Sequence, residues 1–410
     1  MPARRRWTPI VGHGNRVYDA KERMLLGLAD LPGRLLLGWR AHATGPLDPA
    51  SVREVLVVRL DRIGDVLMSL PALHDLRAAL PHARIRLAVG AWSAEIARSA
   101  PVDEVLVWSA PWVGRPSEGA QALGELLSGA RALRQTPLDL AIDLQGDVRA
   151  SLLLWISGAR ARVGYANTGG AYLLSHVVPL DETVSWVEQN RRAVALAVGF
   201  ARTPPRFDPL SAEDRTFAQH LYENLHLEEK RPLVGLHPSG GRRVKQWPVE
   251  RWAEVATRLQ QEHGATILIT GSEADRPLAA ALAKLLPRKA LDVSGRLSVR
   301  EMMALLSGLD LFLSPDTGPM HMACALGTPS VSVFGPSDPV RYFSGGDGRS
   351  GSRHVVVRPD LWCAPCNLIR KPPAECAGGE APECLRLIDP EAVYNEAVRM
   401  LQGARRSASP

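Results

Sequence analysis

The feature that most constrains this chain is an alternation of short aliphatic runs with amphipathic stretches, which begins near residue 53 and recurs almost to the carboxyl end. REVLVVRL (53–60), RIRLAVG (84–90), EVLVW (104–108) and LDLAIDLQG (138–146) are rich in β-branched and aliphatic residues and read as strands separated by helical patterns. A strand followed by a helix cannot pair with the next strand through a tight turn. The helix instead crosses over, and the strands line up in parallel beneath helices on both faces. The same pattern resumes at RPLVGLHPSG (231–240), ATILITGSE (265–273), ALDVSG (290–295), LDLFLSPDTG (309–318) and TPSVSVFGP (328–336), with helices expected near 248, over 275–286, over 298–307 and from Pro319.

Between the two runs lies GFARTPPRFDPLS (199–211), whose prolines and polar residues mark a linker. A chain of 410 residues exceeds what one core usually organises. The expected organisation is therefore an extension over 1–52, a Rossmann-like domain over 53–205, a second over 206–388 and a closing helix and tail over 389–410. Asp389 and Pro390 suit the start of that helix. The fold class is α/β, with two Rossmann-like domains expected to face a cleft at the carboxyl ends of their strands.

The net charge of +6 invites a nucleic-acid reading, but its distribution argues against one. Residues 1–50 hold eight Arg or Lys and four acids, so +4 of the +6 belongs to the extension. No basic stripe interleaved with aromatics runs through the rest, and no nucleic-acid partner is expected. In the extension Met24, Leu25, Leu28 and Leu31, then Leu35, Leu36 and Trp39, are spaced for one face of a short helix. Such a face either lies on an anionic membrane surface or packs against the protein itself. No apolar stretch reaches the roughly 20 residues that span a bilayer, and no apolar run follows the first arginines as in a secretory signal. A cytoplasmic protein is expected.

Two turns in the second half suit an anion. In LFLSPDTGPMHMACALG a strand is expected to end at Ser314 and Pro319 fits the first position of a new helix, so Thr317 and Gly318 offer N–H groups at its positive end, with His321 in the first helical turn. HPSGGRRVKQWP (237–248) follows another strand and combines Ser239, Gly240 and Gly241 with Arg242, Arg243 and Lys245. The first strand-to-helix turn, RLDRIGDVLMSLPAL (59–73), is different, because it has a single glycine, Gly64, followed by Asp65. A carboxylate there would repel a pyrophosphate, and the missing GxGxxG disfavours a nicotinamide cofactor. On its own, Asp65 also reads as a helix cap.

Taken in order, RLDRIGDVLMSLPAL, HPSGGRRVKQWP and SPDTGPMHMACALGTPSVSVFGPSDP resemble the ADP-heptose:lipopolysaccharide heptosyltransferase family, glycosyltransferase family 9, over about residues 53–403. Residues 1–52 fall outside the family pattern. The resemblance implies a GT-B fold and an inverting glycosyltransferase. It implies a nucleotide-sugar donor, ADP-heptose first among them, held by the second domain, and a lipid-linked saccharide acceptor held by the first at the cytoplasmic face of the inner membrane. It further implies Asp65 as general base and Lys245 on the diphosphate. By the same carry-over Asp316 would contact the transferred sugar, Thr317, Gly318 and His321 the phosphate and sugar region, and Glu273 the ribose, with Ser239 and Gly240 shaping the donor loop. No acidic pair of the DxD kind stands out, so transfer without a catalytic metal is expected.

Four of the five cysteines, Cys363, Cys366, Cys376 and Cys384, fall within CAPCNLIRKPPAECAGGEAPEC. This spacing either wraps a structural zinc or leaves plain or oxidised thiols. Two other uses of the same architecture remain open at this point. One is a nucleotide-sugar epimerase or hydrolase, which consumes donor without acceptor. The other is a peripheral membrane protein that binds nucleotide sugars without turnover.

Overall fold

A computed structural model describes residues 30–33, 35–36, 42–43, 45–108, 110, 119–199, 209–227, 230–346, 348, 351–369, 372–377 and 381–407. The chain divides into two compact units, Met1–Phe207 and Asp208–Pro410. Most of the basic extension, including Met24, Leu25, Leu28 and Trp39, and the centre of the linker lie outside the described residues.

The amino-terminal unit is built on six parallel strands: β1 (Glu54–Arg59), β2 (Arg84–Val89), β3 (Glu104–Val107), β4 (Leu140–Asp143), β5 (Ala161–Gly164) and β6 (His176–Val177). Their spatial order is β3-β2-β1-β4-β5-β6. Val55, Leu56, Val57 and Val58 of β1 are all fully buried, as expected of a central strand covered on both faces. The chain leaves β1 into the helix Ile63–Ala79, which packs on the helix Trp186–Val198. Two polar contacts fix that pairing. Arg191 clamps the buried Asp75 with two hydrogen bonds of 2.6 and 2.9 Å, and the Asn190 amide donates to Met68 O at 3.3 Å. A bidentate guanidinium–carboxylate pair sets direction as well as distance, so the helix carrying Asp65 has a defined rotation about its axis.

The carboxyl-terminal unit repeats the plan with β7 (Leu233–Leu236), β8 (Thr266–Ile269), β9 (Leu291–Asp292), β10 (Leu311–Pro315), β11 (Ser330–Val333) and β12 (His354–Val357), all parallel, in the order β12-β11-β10-β7-β8-β9. The helix Pro390–Ser407 closes the sheet, with Val393, Ala397 and Leu401 buried among Val331, Val333 and Leu313. Asp389 accepts from Glu391 N at 3.0 Å and caps the start of this helix, as its sequence suggested.

In both units the first strand is flanked by the second on one side and the fourth on the other. The crossover direction reverses at that point, so the loops leaving strands one and four diverge and open a crevice at the carboxyl edge. That edge is where the candidate residues fall.

Candidate functional site

In the amino-terminal unit the crevice lies between the ends of β1 and β4. Asp65 occupies the third position of the helix Ile63–Ala79, not the cap, which is Arg62. Its Oδ2 accepts from Arg62 N at 3.2 Å, the returning half of a capping box. Its Oδ1 stands 3.3 Å from Nη2 of Arg59, whose Nε is 3.5 Å from Asp61 Oδ2. Across the crevice, Asp143 ends β4 fully buried, and its Oδ1 accepts from Gln145 N at 2.8 Å and Gly146 N at 3.1 Å. Burial, opposed in part by those two N–H donors, pushes the Asp143 carboxyl up to about 7. Burial likewise pushes Asp61 up to about 7 against the pull of Arg59.

The crevice of the carboxyl-terminal unit lies between the ends of β7 and β10. The loop after β7 is closed tightly. Buried His237, held down to about 4 by desolvation, meets Thr270 Oγ1 at 3.1 Å, and Gly241 N donates to the buried Ser239 Oγ at 3.3 Å. A Cβ on Gly240 would come within 2.6 Å of the Lys245 carbonyl carbon, so no other residue fits this approach of backbone to backbone. Trp247 anchors the exit of the loop by donating to Leu385 O at 3.1 Å and stacking edge-on against Trp252.

This closure delivers Lys245 to the end of β10, where its Nζ donates to Asp316 O at 2.6 Å and Asp316 Oδ2 at 3.0 Å. Burial alone would raise the Asp316 carboxyl, but Lys245, His321 and Ser337 more than offset it and hold it below the usual range. The next helix starts at Gly318, with Thr317 in extended conformation as its cap and Pro319 in its first turn. The Thr317 hydroxyl makes no capping bond to the helix, and its buried Oγ1 has no hydrogen-bond partner among the described residues. A helix start whose cap withholds its own oxygen leaves both N–H donors and a hydroxyl for an incoming anion. His321, one turn on, is buried with Nδ1 2.9 Å from Ser344 Oγ. Lys245, Asp316, Thr317, Gly318 and His321 thus come together. Glu273 stands one strand further along the same edge, on the turn after β8, 71% exposed and paired with Arg276 at 3.0 Å.

These two crevices can be set beside known proteins. The family model described as glycosyltransferase family 9 (heptosyltransferase) matches residues 126–374. The chain belongs to glycosyltransferase family 9. Lipopolysaccharide heptosyltransferase 1 of Pseudomonas aeruginosa is 30% identical to this family 9 glycosyltransferase over 328 residues, 76% of this chain and 85% of the relative. Among solved structures, a family 9 glycosyl transferase from Veillonella parvula superposes with a TM-score of 0.71 at 22% identity, covering 88% of this chain and 99% of that one. The Escherichia coli ADP-heptose lps heptosyltransferase II does so with a TM-score of 0.68 at 22% identity, covering 86% and 99%. The α/β architecture of two Rossmann-like units is therefore that of the solved heptosyltransferases, and the protein is a glycosyltransferase enzyme.

The structural zinc that the cysteine spacing left open in this glycosyltransferase finds no support. Cys363, Cys366 and Cys376 each add to the rise of the Cys384 thiol and so share its neighbourhood, yet among the described residues no group of three or more His, Cys, Asp or Glu is arranged to hold a metal ion. Cys363, Cys366, Cys376 and Cys384 are free thiols. Cys384 is turned into the core beside Gly335, and burial pushes it up to about 12. Sequence reasoning also passed over groups that the geometry places at the two crevices: Asp61 and Asp143 in the first, Ser337 in the second. The signal for Asp143 was available in LAIDLQGD, because the fourth strand of a Rossmann unit returns beside the first.

Proposed function

We propose that this enzyme transfers heptose from ADP-heptose to a lipopolysaccharide-core or related glycolipid acceptor, with inversion and without a catalytic metal. The observation that carries the reading is the second crevice, where a helix start with an unengaged buried hydroxyl stands beside a lysine. A diphosphate meets there N–H donors, a hydroxyl and a cation, the groups that stabilise negative charge on a departing nucleoside diphosphate. These groups supply the positive field that a metal ion otherwise provides. The names of the relatives support the heptosyl donor and the lipopolysaccharide acceptor.

In the proposed reaction Asp65 accepts the proton of the acceptor hydroxyl as its oxygen bonds to the anomeric carbon. The bond from that carbon to the diphosphate oxygen breaks, and its electron pair leaves with ADP. Attack opposite to departure inverts the anomeric centre. Asp316, held ionised and oriented by Lys245, serves the hydroxyls of the transferred sugar, and Glu273 serves the ribose, whose two donors suit a carboxylate.

Thermal unfolding with a panel of nucleoside diphosphates tests the donor. ADP at about 100 times its Kd should stabilise the protein by about 2.7 kcal/mol, with GDP, UDP and CDP well behind. Transfer should survive EDTA undiminished. A pyrimidine diphosphate as the best ligand would overturn the donor assignment, and loss of turnover on chelation would overturn the metal-independent reaction.

A lipid-linked acceptor also calls for peripheral contact with the cytoplasmic face of the inner membrane. No helix among the described residues is long and apolar enough to cross a membrane. Leu31, Leu35 and Leu36 are 50, 74 and 72% exposed beside a turn tied down by Gly170 N donating to Asp30 at 2.8 Å. The expected result is co-sedimentation with anionic vesicles that weakens when the three leucines become serine. Unchanged sedimentation would remove this segment from the contact.

A further inference from the structure

We propose that Arg59 is the positioning residue of the amino-terminal unit: its guanidinium aims the carboxylate of Asp65 at the acceptor hydroxyl. The inference rests on the reading of Asp65 as the base and adds to it the device that orients that base.

Arg59 is the last residue of β1 and is only 3% exposed. Its Nη1 donates to Leu144 O, just past β4, so the head group is anchored to one central strand while its backbone belongs to the other. Nη2 then faces Asp65 Oδ1 at 3.3 Å, and Nε faces Asp61 Oδ2 at 3.5 Å. The second oxygen of Asp65 is held by Arg62 N. One oxygen is therefore held by a hydrogen bond and the other is drawn by the ion pair from a different direction, which orients the carboxylate. A guanidinium anchored by one hydrogen bond, with Nη2 and the unbonded Nε turned toward two carboxylates, presents its charge in a fixed direction, whereas an ammonium is a point charge with no preferred plane.

Charge arithmetic explains why so polar a group is buried at the crevice. One guanidinium serves Asp61, Asp65 and Asp143, with Asp147 close by but engaged with Arg149. Burial, the first cause, and then the neighbouring carboxylates push Asp61 up to about 7, and Asp143 rises to the same value. Without Arg59 the same carboxylates would face one another uncompensated.

The test uses the full chain with Arg59→Met, Arg59→Lys and Asp65→Asn, each assayed for kcat, for KM of donor and acceptor, and across pH. Arg59→Met should lower kcat about 100-fold, the effect of a misdirected catalytic group. Stabilisation by ADP should be unchanged, since the donor groups belong to the other unit. The acid limb of the kcat profile should move up as Asp61 and Asp143 lose the cation that lowers them, and Arg59→Lys should recover part of the rate but not the limb. If Arg59→Met does not fold, Arg59→Met/Asp61→Asn removes one carboxylate together with the cation, and a low kcat in that folded protein supports the proposal equally. Wild-type kcat and pH profile in either protein, with Asp65→Asn inactive, overturn the positioning role and leave the base reading standing. An active Asp65→Asn overturns both.

Discussion

Asp65→Asn is expected to lower turnover by about 100- to 10,000-fold, the usual contribution of a positioned proton acceptor, while ADP binding stays at its wild-type value. The fold should tolerate the change. The amide oxygen can still accept from Arg62 N, and loss of that capping bond would cost no more than about 1 kcal/mol. Removing one negative charge also relieves the crowding of Asp61 and Asp143 around a single guanidinium, which offsets part of any loss. Turnover and melting temperature should therefore part company, with the first collapsing and the second nearly still. Turnover within a few-fold of wild type would mean that Asp65 serves only the helix.

Lys245→Met is expected to act on the opposite bond of the reaction. Loss of a preorganised donor to the departing diphosphate costs about 3 to 4 kcal/mol in the transition state, a fall of roughly 100- to 1,000-fold in kcat, and ADP affinity should fall with it. A second consequence comes from Asp316. With Lys245 gone, burial is no longer fully opposed, so the Asp316 carboxyl rises and takes up its proton at higher pH than before. The acid limb of the variant's activity should accordingly begin at higher pH than that of the wild type. Single-turnover rates and calorimetric titration with ADP measure the two effects separately. Unaltered ADP affinity together with unaltered turnover would remove Lys245 from the donor site.

Much of this was legible in the sequence, for reasons that also explain what was not. β1, β2, β7 and β10 are central or next to central, and their mainly apolar runs announced them to within a few residues. β5, β6 and β12 went unread. ARVG carries an arginine and a glycine, HV is two residues long, and HVVV follows a glycine-rich turn, so none offers a run long enough to stand out. These strands lie toward the edges of their sheets, where partial exposure relaxes the demand for hydrophobic residues. The turn at Thr317 proposed for the diphosphate stood out because Gly-Pro follows directly on an apolar run. What periodicity could not convey was the company each residue keeps: that Asp65 sits third in its helix with Arg59 behind it, or that Lys245 leans on Asp316. Those contacts join residues 6 to 85 positions apart, and only the winding order of the strands brings the distant ones together.

That winding is the same in both units, and it carries an evolutionary corollary. The aliphatic strands hold the framework, while the groups proposed for recognition and chemistry sit at or just past the carboxyl ends of strands one, two and four. Exchange of a few residues there retunes which sugar or which alcohol is accepted and leaves the scaffold undisturbed. Diversification within this group of enzymes should accordingly concentrate at the loop tips, with the interior drifting only among hydrocarbons of similar volume.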